Sequence, residues 1–511
     1  MASYKPCLIG CKDMANQRFV LGLDIGTGGA RGVLVEQESG RVHAAAEAGY
    51  ELSAPRPGWS EQDPADWWLA CLDVIGRLIA DTDASGDEVA CVGLSGQMHG
   101  LVLLDAAQQV LRPAMLWNDQ RTIEECAFMH ERLGERRLIE ITGKPALTSF
   151  TAPKLLWVRR NEPDIYARIQ HILLPKDAIR LELTGRHAAD ASDASGTSLL
   201  DITSRHWSGE ILDGLGINPT WLPEVLESRE IAGEITAQAA ALTGLRAGTP
   251  VVAGAGDQAA AGLACGIDDP RTVSINLGTS GVVFAACEGA PTDPTGAMHT
   301  FCHAIRDTCH LMGCMLSAGG SLRWYRDTFQ PDRPFDELIG SGLAAPAGCD
   351  GLHFYPYLGG ERTPHNDPTL TASFTGITTR HQRNHFARAV LEGILYGLKD
   401  GLDLVTATGQ QVQRIRMTGG GAQNALWRQL ACEIFGLPVA TVHVPHGSGY
   451  GAALLAMVGS GRFNSVTAAM TEHVKESSVI EPTAQSPQYR DRHAAWRRGF
   501  QKEPTAGSTM P

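Results

Sequence analysis

The sequence predicts an α/β protein of two related domains, because two similar glycine-rich turns lie half a chain apart. Leu21–Gly29 and Ser274–Val282 each lead from an apolar run with one polar residue into Gly-Thr-(Gly/Ser)-Gly. Glycine tolerates positive φ and lets backbone N–H groups approach an anion closely, and the Thr hydroxyl adds a donor, so each turn suits a phosphate group. Two such turns, one in each half of the 511 residues, predict duplicated domains that hold a polyphosphate from both sides.

Composition limits the class of protein. A chain of 511 residues with 43% hydrophobic residues is large enough for at least two cores. The net charge of −13 argues against nucleic acid or an anionic membrane as the main partner. The 12 cysteines are scattered, as expected of reduced thiols in a cytoplasm. No apolar run is long enough to span a bilayer, and no secretory signal precedes residue 19.

The first half begins with the alternation expected of an antiparallel β-meander that turns at Gly28-Gly29 and Ser39-Gly40. The pair Asp63-Pro64 then marks a helix start, followed by apolar residues at helical spacing. The predicted elements are strands over 19–24, 31–37, 42–49 and 89–94 and a helix over 64–79.

The second half repeats this scheme, with strands over 272–276, 281–285 and 414–418 and helices over 385–404 and 424–435. Turn-forming residues around Gly266–Pro270 place the boundary between the halves near Asp268. The predicted segments are a flexible extension over 1–18, domains over 19–267 and 268–482, and an amphipathic segment with a disordered tail over 483–511.

Asp24 lies two residues before Gly26 in the first turn. A carboxylate beside a phosphate loop repels the phosphate unless a cation lies between them, which makes Asp24 a candidate Mg²⁺ anchor. The alternative is a carboxylate that caps the turn. Arg31, on the next strand, is placed to return toward the same phosphates, or else is a solvated strand arginine.

Asp257 follows an apolar strand and the sequence Gly254-Ala255-Gly256, and an Ala-rich helix follows it. The N–H groups at a helix start favour negative charge. Phosphoryl transfer to an alcohol needs a carboxylate that accepts the hydroxyl proton. An N-cap aspartate is the alternative, but a cap does not need glycine on both sides of Ala255, so a catalytic role is favoured.

Gly419-Gly420-Gly421 follows a strand and precedes a helix, an arrangement that leaves bare backbone for a flat adenine. Asn424 is placed to hydrogen-bond the nucleoside, and Gly319 is a further contact of this kind. Trp59, in a loop rich in Pro and Gly, offers an apolar ring to the C–H faces of a sugar. The His and Cys residues of the stretch 299–314 favour core packing over a zinc site.

The segments Asp24–Arg31, Gly254–Gln258, Leu277–Gly281 and Gly419–Asn424 together resemble the FGGY carbohydrate kinases, members of the actin/hexokinase/Hsp70 superfamily with a ribonuclease H-like fold. Further segments are most similar to the family members that act on D-xylulose. These are Gly58–Pro64, Gln97–Gly100, Leu116–Asp119, Leu174–Asp177 and Gly360–His365. The resemblance covers about residues 19 to 500.

The resemblance implies two actin/hexokinase/Hsp70-like domains with a cleft between them, and ATP- and Mg²⁺-dependent phosphorylation of D-xylulose at O5. It makes Asp257 the proton acceptor and Asp24 the acidic residue of the first phosphate loop. The sugar contacts it implies are Met98, His99, Asp257 and Gln258, to which Trp59 is added from its loop. The ATP contacts are Thr27, Thr279, Gly319, Gly420, Gly421 and Asn424, with Gly28, Arg31 and Gly278 from the two turns.

Two alternatives remain at this point. One is the same class of enzyme with another substrate, such as ribulose, gluconate or glycerol. The other is a binding protein of the actin or Hsp70 type that is switched by ATP, which has no need of Asp257-Gln258 or of Gln97–Gly100. The sequence departs from the family pattern in two places. The segment His446–Gly451, which leads into Ala452-Ala453, is polar where a more apolar or acidic segment is expected. Gln258 stands where Asn is frequent. The oligomeric state is open, with a homodimer as one alternative.

Overall fold

The computed structural model describes residues 17–442 and 446–500. Most of the predicted extension over 1–18, and the tail over 501–511, lie outside the described residues. None of the helices in the described ranges is both long and apolar enough to cross a membrane.

The strands and α-helices follow one another along the whole described chain. The strands are β1 (Phe19–Ile25), β2 (Gly29–Glu36), β3 (Val42–Gly49), β4 (Glu61–Gln62), β5 (Val89–Gly96), β6 (Val102–Leu104), β7 (Ala114–Met115), β8 (His171–Leu173), β9 (Ala188–Asp190), β10 (Leu200–Asp201), β11 (His206–Trp207), β12 (Glu224–Leu226), β13 (Ile231–Glu234), β14 (Pro250–Val252), β15 (Ala255–Gly256), β16 (Thr272–Leu277), β17 (Gly281–Glu288), β18 (His299–Cys302), β19 (Thr308–Met315), β20 (His353–Tyr355), β21 (Ser373–Thr375), β22 (Arg414–Thr418), β23 (Val439–Val442) and β24 (Glu476–Ile480). The helices are α1 (Pro64–Ala80), α2 (Ile123–Leu133), α3 (Glu135–Thr142), α4 (Thr151–Asn161), α5 (Pro163–Tyr166), α6 (Pro175–Thr184), α7 (Ala191–Ala194), α8 (Gly209–Leu215), α9 (Ala237–Thr243), α10 (Asp257–Ala264), α11 (Gly319–Phe329), α12 (Phe335–Leu343), α13 (Arg383–Ala407), α14 (Ala425–Phe435), α15 (Gly447–Gly459), α16 (Val466–His473) and α17 (Ser486–Gly499).

Two mixed sheets with the same topology form the two halves of the molecule. The first has the order β13-β14-β5-β1-β2-β3, with β15 beside β5, and the second has the order β24-β23-β22-β16-β17-β19-β18. In each, an antiparallel hairpin (β1–β2, β16–β17) pairs in parallel with a later strand (β5, β22). The duplication predicted from the two glycine-rich turns is therefore a duplication of sheet topology.

The local signals in the sequence produce the elements that they predict. The side chain of Asp63 accepts a hydrogen bond from the N–H of Ala65 at 3.0 Å and caps α1, as expected of an N-cap aspartate before Pro64. Gly436 adopts φ +69° and ends α14 in the left-handed conformation. The predicted strands and helices of both halves are confirmed, with ends that shift by up to three residues.

The boundary near Asp268 falls between α10 and β16, but the two halves do not keep their helices to themselves. Helix α15, from the second half of the sequence, packs on β1 and β5 of the first sheet. Gly22 and Gly93 make this approach possible, since a Cβ on Gly22 would lie 2.1 Å from the oxygen of Gly449. Conversely, α10 from the first half places Gly262 against the ring of Phe284 on β17. The two domains predicted from the chain order are therefore interlocked.

Helices α10 and α15 cross in backbone contact. A Cβ on Gly451 of α15 would lie 1.9 Å from the carbonyl oxygen of Ala260 on α10. Real Cβ atoms do not approach a backbone oxygen so closely, so this crossing requires glycine. The crossing holds the start of α10 beside the carboxyl end of β1.

The amphipathic segment predicted after Pro482 forms a helix. Helix α17 docks on the second core, where Tyr489 and Trp496 are buried. The indole Nε1 of Trp496 donates to the carbonyl of Phe354 at 2.9 Å.

The His and Cys residues of the stretch 299–314 lie mostly on β18 and β19, and most of them are buried in the core. The ring of His310 stacks on Phe284 with centroids 4.4 Å apart, and Nε2 of His303 lies 2.9 Å from the carbonyl of Ile267. The groups that could hold a metal ion in the described residues lie elsewhere, which agrees with the predicted packing role.

The crossing of α10 and α15 makes a prediction about stability. We expect Gly451→Ala to lower the free energy of unfolding by about 1–3 kcal/mol, because the added methyl group overpacks a backbone contact. Gly76→Ala is the matched control, since Gly76 is an exposed glycine inside α1 with open space around its Cα. This control should stabilise by up to about 1 kcal/mol. Denaturant unfolding of both variants measures the difference, and equal stabilities would contradict the proposed contact.

Candidate active site

The first glycine-rich turn joins β1 to β2 and is held by buried polar groups beneath it. The hydroxyl of Tyr50 donates to the carbonyl of Gly26, and Nε2 of Gln62 donates to the carbonyl of Thr27 at 2.7 Å. Within the described ranges, the N–H groups of Thr27 and Gly28 donate to no protein acceptor. They are therefore free to donate to an anion, as the sequence predicts for a phosphate loop.

The hydroxyl of Thr27 has protein partners in this structure. It donates to Oε1 of Gln97 at 3.1 Å and accepts from Nε1 of Trp117 at 2.9 Å. The amide of Gln97 in turn donates to Oε1 of Gln62, which also accepts from Trp67. The backbone N–H groups of Thr27 and Gly28 are thus available to an anion, whereas the Thr27 hydroxyl belongs to a hydrogen-bond network that fixes the turn.

Asp24 lies at the carboxyl end of β1 and is 6% exposed. Burial raises the pKa of its carboxyl group, and hydrogen bonds from Ser448 and Ser95 oppose this shift. The Ser95 hydroxyl donates to Oδ1 of Asp24 at 3.0 Å. A buried carboxylate with few protein donors is stabilised by a nearby cation, so its surroundings suit a hydrated Mg²⁺.

The polar segment His446–Gly451 forms the start of α15, and this start lies against Asp24. Ser448 hydrogen-bonds the carboxylate, and a Cβ on Gly449 would lie 3.9 Å from Cβ of Asp24. The N-terminus of a helix carries a partial positive charge that favours an anion. This polar segment, where an apolar or acidic one was expected, therefore affects the surroundings of Asp24 and the phosphate side of the cleft.

Arg31 is opposite Asp24 in the β1–β2 register, but its side chain is 64% exposed and pairs with Glu47 (Nε–Oε2 3.4 Å). It lies outside the linings of both cavities described below, so the structure does not bring it together with the predicted ATP contacts. Its charge still acts on Asp24, whose pKa it lowers.

Asp257 is the first residue of α10 and follows the bend Ala253–Gly256. Burial, and after it the charge of Asp24, raise the pKa of its carboxyl group to about 7. Hydrogen bonds from the backbone and side chain of Gln258 partly oppose the shift. A carboxyl group that titrates near neutral pH is suited to accept a proton during a reaction.

A cavity of about 210 Å³ lies in the cleft between the two sheets. It collects residues that are far apart in the sequence and come from both halves of the chain. Its lining consists of Thr27, Met98, His99, Trp117, Ser149, Asp257, Gln258, Ser280, Val282, Met312, Cys314 and Arg362. Four of the predicted sugar contacts, Met98, His99, Asp257 and Gln258, are thus brought together in one small chamber.

His99 follows β5 and adopts φ +72°, a conformation that is rare for this residue type. Its carbonyl oxygen accepts from Nζ of Lys154 at 2.9 Å and from the hydroxyl of Thr151 at 3.1 Å. Nδ1 lies 2.8 Å from the carbonyl of Gly196, which only accepts, so Nδ1 carries the proton. Burial and the charge of Lys154 lower the pKa of His99 well below its usual range, so the ring is neutral and presents Nε2 as an acceptor.

Trp59 does not line the cavity. Its ring lies between the guanidinium groups of Arg121 (3.5 Å to the centroid) and Arg56 (4.8 Å), and it contacts Trp157 edge-on. The tryptophan that lines the cavity is Trp117, which is 40% exposed. The prediction of Trp59 as a sugar contact is therefore not supported by its position.

Arg362 is the cationic residue of the cavity lining and comes from the second half. Within the described part of the chain, no acceptor lies within hydrogen-bond distance of its guanidinium group. The neighbouring Glu361 is buried and accepts the N–H groups of Leu316 and Arg362 at 2.9 and 2.8 Å. This arrangement leaves the charge of Arg362 available to an anion in the cavity.

A second cavity, of about 430 Å³, lies entirely on the second half. The turn between β16 and β17 supplies Gly278 and Thr279, whose carbonyls accept from Gly319 at 2.8 Å and from Gly320 at 3.0 Å at the start of α11. Gly420 and Gly421 form its far wall, where nothing within 4 Å would meet a Cβ on Gly420. The predicted nucleotide contacts of this half therefore surround one glycine-walled cavity.

Asn424 lines the second cavity but already has partners. Its Oδ1 accepts from the N–H of Trp427 at 3.0 Å and so caps α14, and its Nδ2 donates to Asp336 at 2.7 Å. A nucleoside would compete with Asp336 for the amide.

Sequence reasoning assigned no role to Trp117 or Arg362, although both belong to motifs that it singled out. Ser149 and Ser280 were also missed. A tryptophan next to the Asn-Asp pair at 118–119, and an arginine between Glu361 and Thr363, were the available signals. Neither signal shows which cavity a side chain faces, because that depends on segments distant in the sequence.

Comparison with known proteins assigns both halves of the chain. Residues 19–264 match the N-terminal domain of the FGGY family of carbohydrate kinases, and residues 273–460 match its C-terminal domain. A xylulose kinase of Escherichia coli K12 is 41% identical over 94% of this chain and 98% of its own length. A xylulose kinase of Lactococcus lactis is 40% identical over 94% of this chain and 96% of its own length. A crystal structure described as a xyloylose kinase from Brucella ovis covers 94% of this chain and 98% of its own, with 37% identity and a TM-score of 0.87.

Proposed function

The chain belongs to the FGGY family of carbohydrate kinases, and from this premise we propose that it phosphorylates D-xylulose at O5. The products are D-xylulose 5-phosphate and ADP. The curated relatives at about 40% identity over most of the chain are xylulose kinases. The single observation that carries the proposal is the interdomain cavity, which unites Met98, His99, Asp257 and Gln258.

The proposed reaction uses the two cavities for the two substrates. ATP lies in the glycine-walled cavity of the second half, between Gly278 and Gly421, and its phosphates extend toward the two turns. The sugar occupies the smaller cavity, whose volume of about 210 Å³ suits a five-carbon ketose better than a nucleotide. Thr27 and Ser280, one from each turn, line the sugar cavity and mark where the phosphates and the sugar meet.

Asp257 is the proposed general base. Its carboxylate accepts the proton of the O5 hydroxyl while O5 forms a bond to the γ-phosphorus of ATP. The bond from that phosphorus to the β–γ bridging oxygen breaks, and ADP leaves with the bridging oxygen. The pKa of about 7 suits this task, because about half of such groups are deprotonated at neutral pH and the carboxylate still binds a proton well.

The remaining charges of the cleft complement the phosphates. Arg362 offers an unpaired guanidinium group from the second half, and the free N–H groups of Thr27 and Gly28 come from the first. Asp24 is the residue that would hold Mg²⁺, whose positive charge would offset phosphate charge when it is bound. The buried carboxylate of Asp24, with two serine donors, fits this role.

The neutral ring of His99 is the proposed source of substrate specificity. Nε2 accepts a hydrogen bond, so it is satisfied by a sugar hydroxyl at the matching position and unpaired otherwise. The ring cannot easily move to follow another sugar, because its Nδ1 is bonded to the carbonyl of Gly196, and Lys154 and Thr151 hold the backbone carbonyl of His99. A rigid acceptor in a small cavity favours one stereochemistry.

The first prediction concerns Asp257. Asp257→Asn should lower kcat by about 10²–10⁴, because the O5 proton loses its acceptor. The wild-type kcat/KM for D-xylulose should rise with pH through a limb near pH 7, as Asp257 becomes deprotonated, and the variant should lack this limb. A coupled assay of ADP release gives both rates, and calorimetry should show that ATP and sugar still bind. A variant with near wild-type turnover would exclude Asp257 as the base.

The second prediction concerns Asp24. Asp24→Asn should raise the Mg²⁺ concentration for half-maximal rate by about 10–100-fold, a typical cost of losing a metal-orienting group. Sugar affinity should change little. Asp73→Asn is the matched control, since Asp73 is an exposed carboxylate on α1 that pairs with Arg77, and it should leave the Mg²⁺ dependence near that of the wild type. An unchanged Mg²⁺ titration in Asp24→Asn would remove Asp24 from the metal site.

The third prediction concerns specificity. D-xylulose should exceed its C3 epimer D-ribulose in kcat/KM by about ten- to hundredfold, the effect of one unmatched buried hydrogen bond. His99→Ala should narrow this ratio, mainly by slowing D-xylulose. His303→Ala, which removes a buried histidine outside the cavity, is the control and should keep the ratio. If His99→Ala melts normally and the ratio is unchanged, His99 does not read the sugar.

A further inference from the structure

The bend Ala253–Gly256, which leads into Asp257, is hydrogen-bonded on one side to buried polar groups. The carbonyl of Ala253 accepts from the guanidinium of Arg180 at 2.7 Å. The N–H of Gly254 donates to the carbonyl of Ser228 at 3.0 Å, and the N–H of Gly256 donates to Oγ of Ser192 at 3.1 Å. Three backbone groups of four consecutive residues thus have partners on this side.

These partners converge on one carboxylate. Oδ1 of Asp190 accepts from the hydroxyl of Ser192 at 2.5 Å and from the hydroxyl of Ser228 at 3.2 Å. Asp190 is fully buried and also accepts the N–H of Ser192 at 2.9 Å. A shift of Asp190 would therefore be passed to both ends of the Gly254–Gly256 segment.

Asp190 is itself held by Lys176, at the centre of a buried charge cluster. Nζ of Lys176 lies 2.5, 2.6 and 3.2 Å from carboxylate oxygens of Asp177, Asp190 and Asp193. The guanidinium of Arg180 lies 2.8 Å from Asp177. Each of these side chains is at most 1% exposed. Burial raises the pKa of Asp193 well above its usual range.

A buried charge cluster is weak evidence for a stabilising role, because desolvation of the ions offsets most of their attraction. Such a cluster does fix the positions of its side chains, because each charged group has few possible partners. The charged members lie outside the lining of the sugar cavity, so they do not contact a substrate there. Arg180 contacts the bend that carries Asp257 directly, and Asp190 reaches it through Ser192 and Ser228.

We propose that the cluster of Lys176, Arg180 and Asp190, acting through Ser192 and Ser228, positions the carboxylate of Asp257 for proton transfer. The proposal rests on the proposed function, in which Asp257 is the base. Gly254 has φ +83°, and glycines tolerate many conformations, so the path of the bend depends on its hydrogen-bond partners. Strand β5 pairs with Ala255 and Gly256 on one side, and the cluster, through Ser192 and Ser228, supplies the partners on the other. These are positioning residues, and none of them is assigned a contact with the reacting atoms.

Ser192→Ala tests the hydrogen bond that joins the cluster to Gly256. It removes the acceptor of the Gly256 N–H and leaves the charged cluster in place. Displacement of a catalytic group by about 1 Å costs up to about 10²-fold in rate, so we expect kcat with D-xylulose to fall by about tenfold or more. The Kd values of Mg·ATP and D-xylulose, measured by calorimetry, should stay within about twofold, because the bend is not the binding surface.

Ser195→Ala is the matched control. Ser195 is a fully buried serine three residues away, and its hydroxyl donates to the carbonyl of Ser192 and accepts from the N–H of Cys302, not from the bend. We expect this variant to lose thermal stability but to keep kcat. A folded Ser192→Ala with wild-type kcat, or an equal loss of kcat in Ser195→Ala, would overturn the proposal. If Ser192→Ala does not fold, Ser228→Ala takes its place, since it removes only the hydroxyl bond to Asp190.

Crystal structures of the wild type and Ser192→Ala give a readout that does not depend on turnover. We expect the Asp257 carboxylate to move by about 1 Å in the variant, the displacement scale used above. An Asp257 that stays in place would overturn the positioning role. If the wild type fails to phosphorylate D-xylulose, the proposed function fails, and this pair of structures still decides the positioning role.

Discussion

The structure depends on backbone contacts that only glycine allows. Gly22 and Gly93 let α15 lie directly on the first sheet, and Gly451 lets it cross α10 in contact with Ala260. Because α15 comes from the second half of the chain and α10 from the first, these contacts lock the two halves at the base of the cleft. Asp24 ends the strand that α15 covers, and Asp257 begins the helix that α15 crosses, so the two carboxylates belong to one rigid region.

Electrostatics follow from that arrangement. Burial is the main cause that raises the pKa of Asp257 to about 7, and the negative charge of Asp24 is the second. The region has a matching set of donors in the start of α15, the free N–H groups of the first turn and Arg362 across the cavity. The carboxylates thus lie where the proposed reaction needs a cation and a proton acceptor, and the donors lie where the proposed reaction places the phosphates.

The two cavities differ in which halves of the chain line them. The larger cavity belongs to the second half alone, whereas the small cavity needs both, with His99 and Asp257 on one wall and Arg362 on the other. A sugar is therefore fully enclosed only when the halves are in place around it. The hydrogen-bonded backbone of His99 and the cluster behind Asp257 hold the wall that comes from the first half. If the cleft changes shape, the wall from the second half would therefore move more.

The sequence by itself determined the duplicated sheets, the two glycine-rich turns and most helix and strand limits, and it singled out Asp24, His99 and Asp257 as candidate site residues. These features depend on local patterns, such as alternation, capping and glycine at turns, that neighbouring residues specify. Only the tertiary structure decided that Trp117 and not Trp59 lines the cavity, that Arg31 pairs with Glu47, and that Ser448 faces Asp24. The exchange of α10 and α15 and the cluster behind Asp257 were decided in the same way. Each of these joins segments separated by tens to hundreds of residues, and their contacts depend on how the sheets and helices pack, which no local pattern encodes.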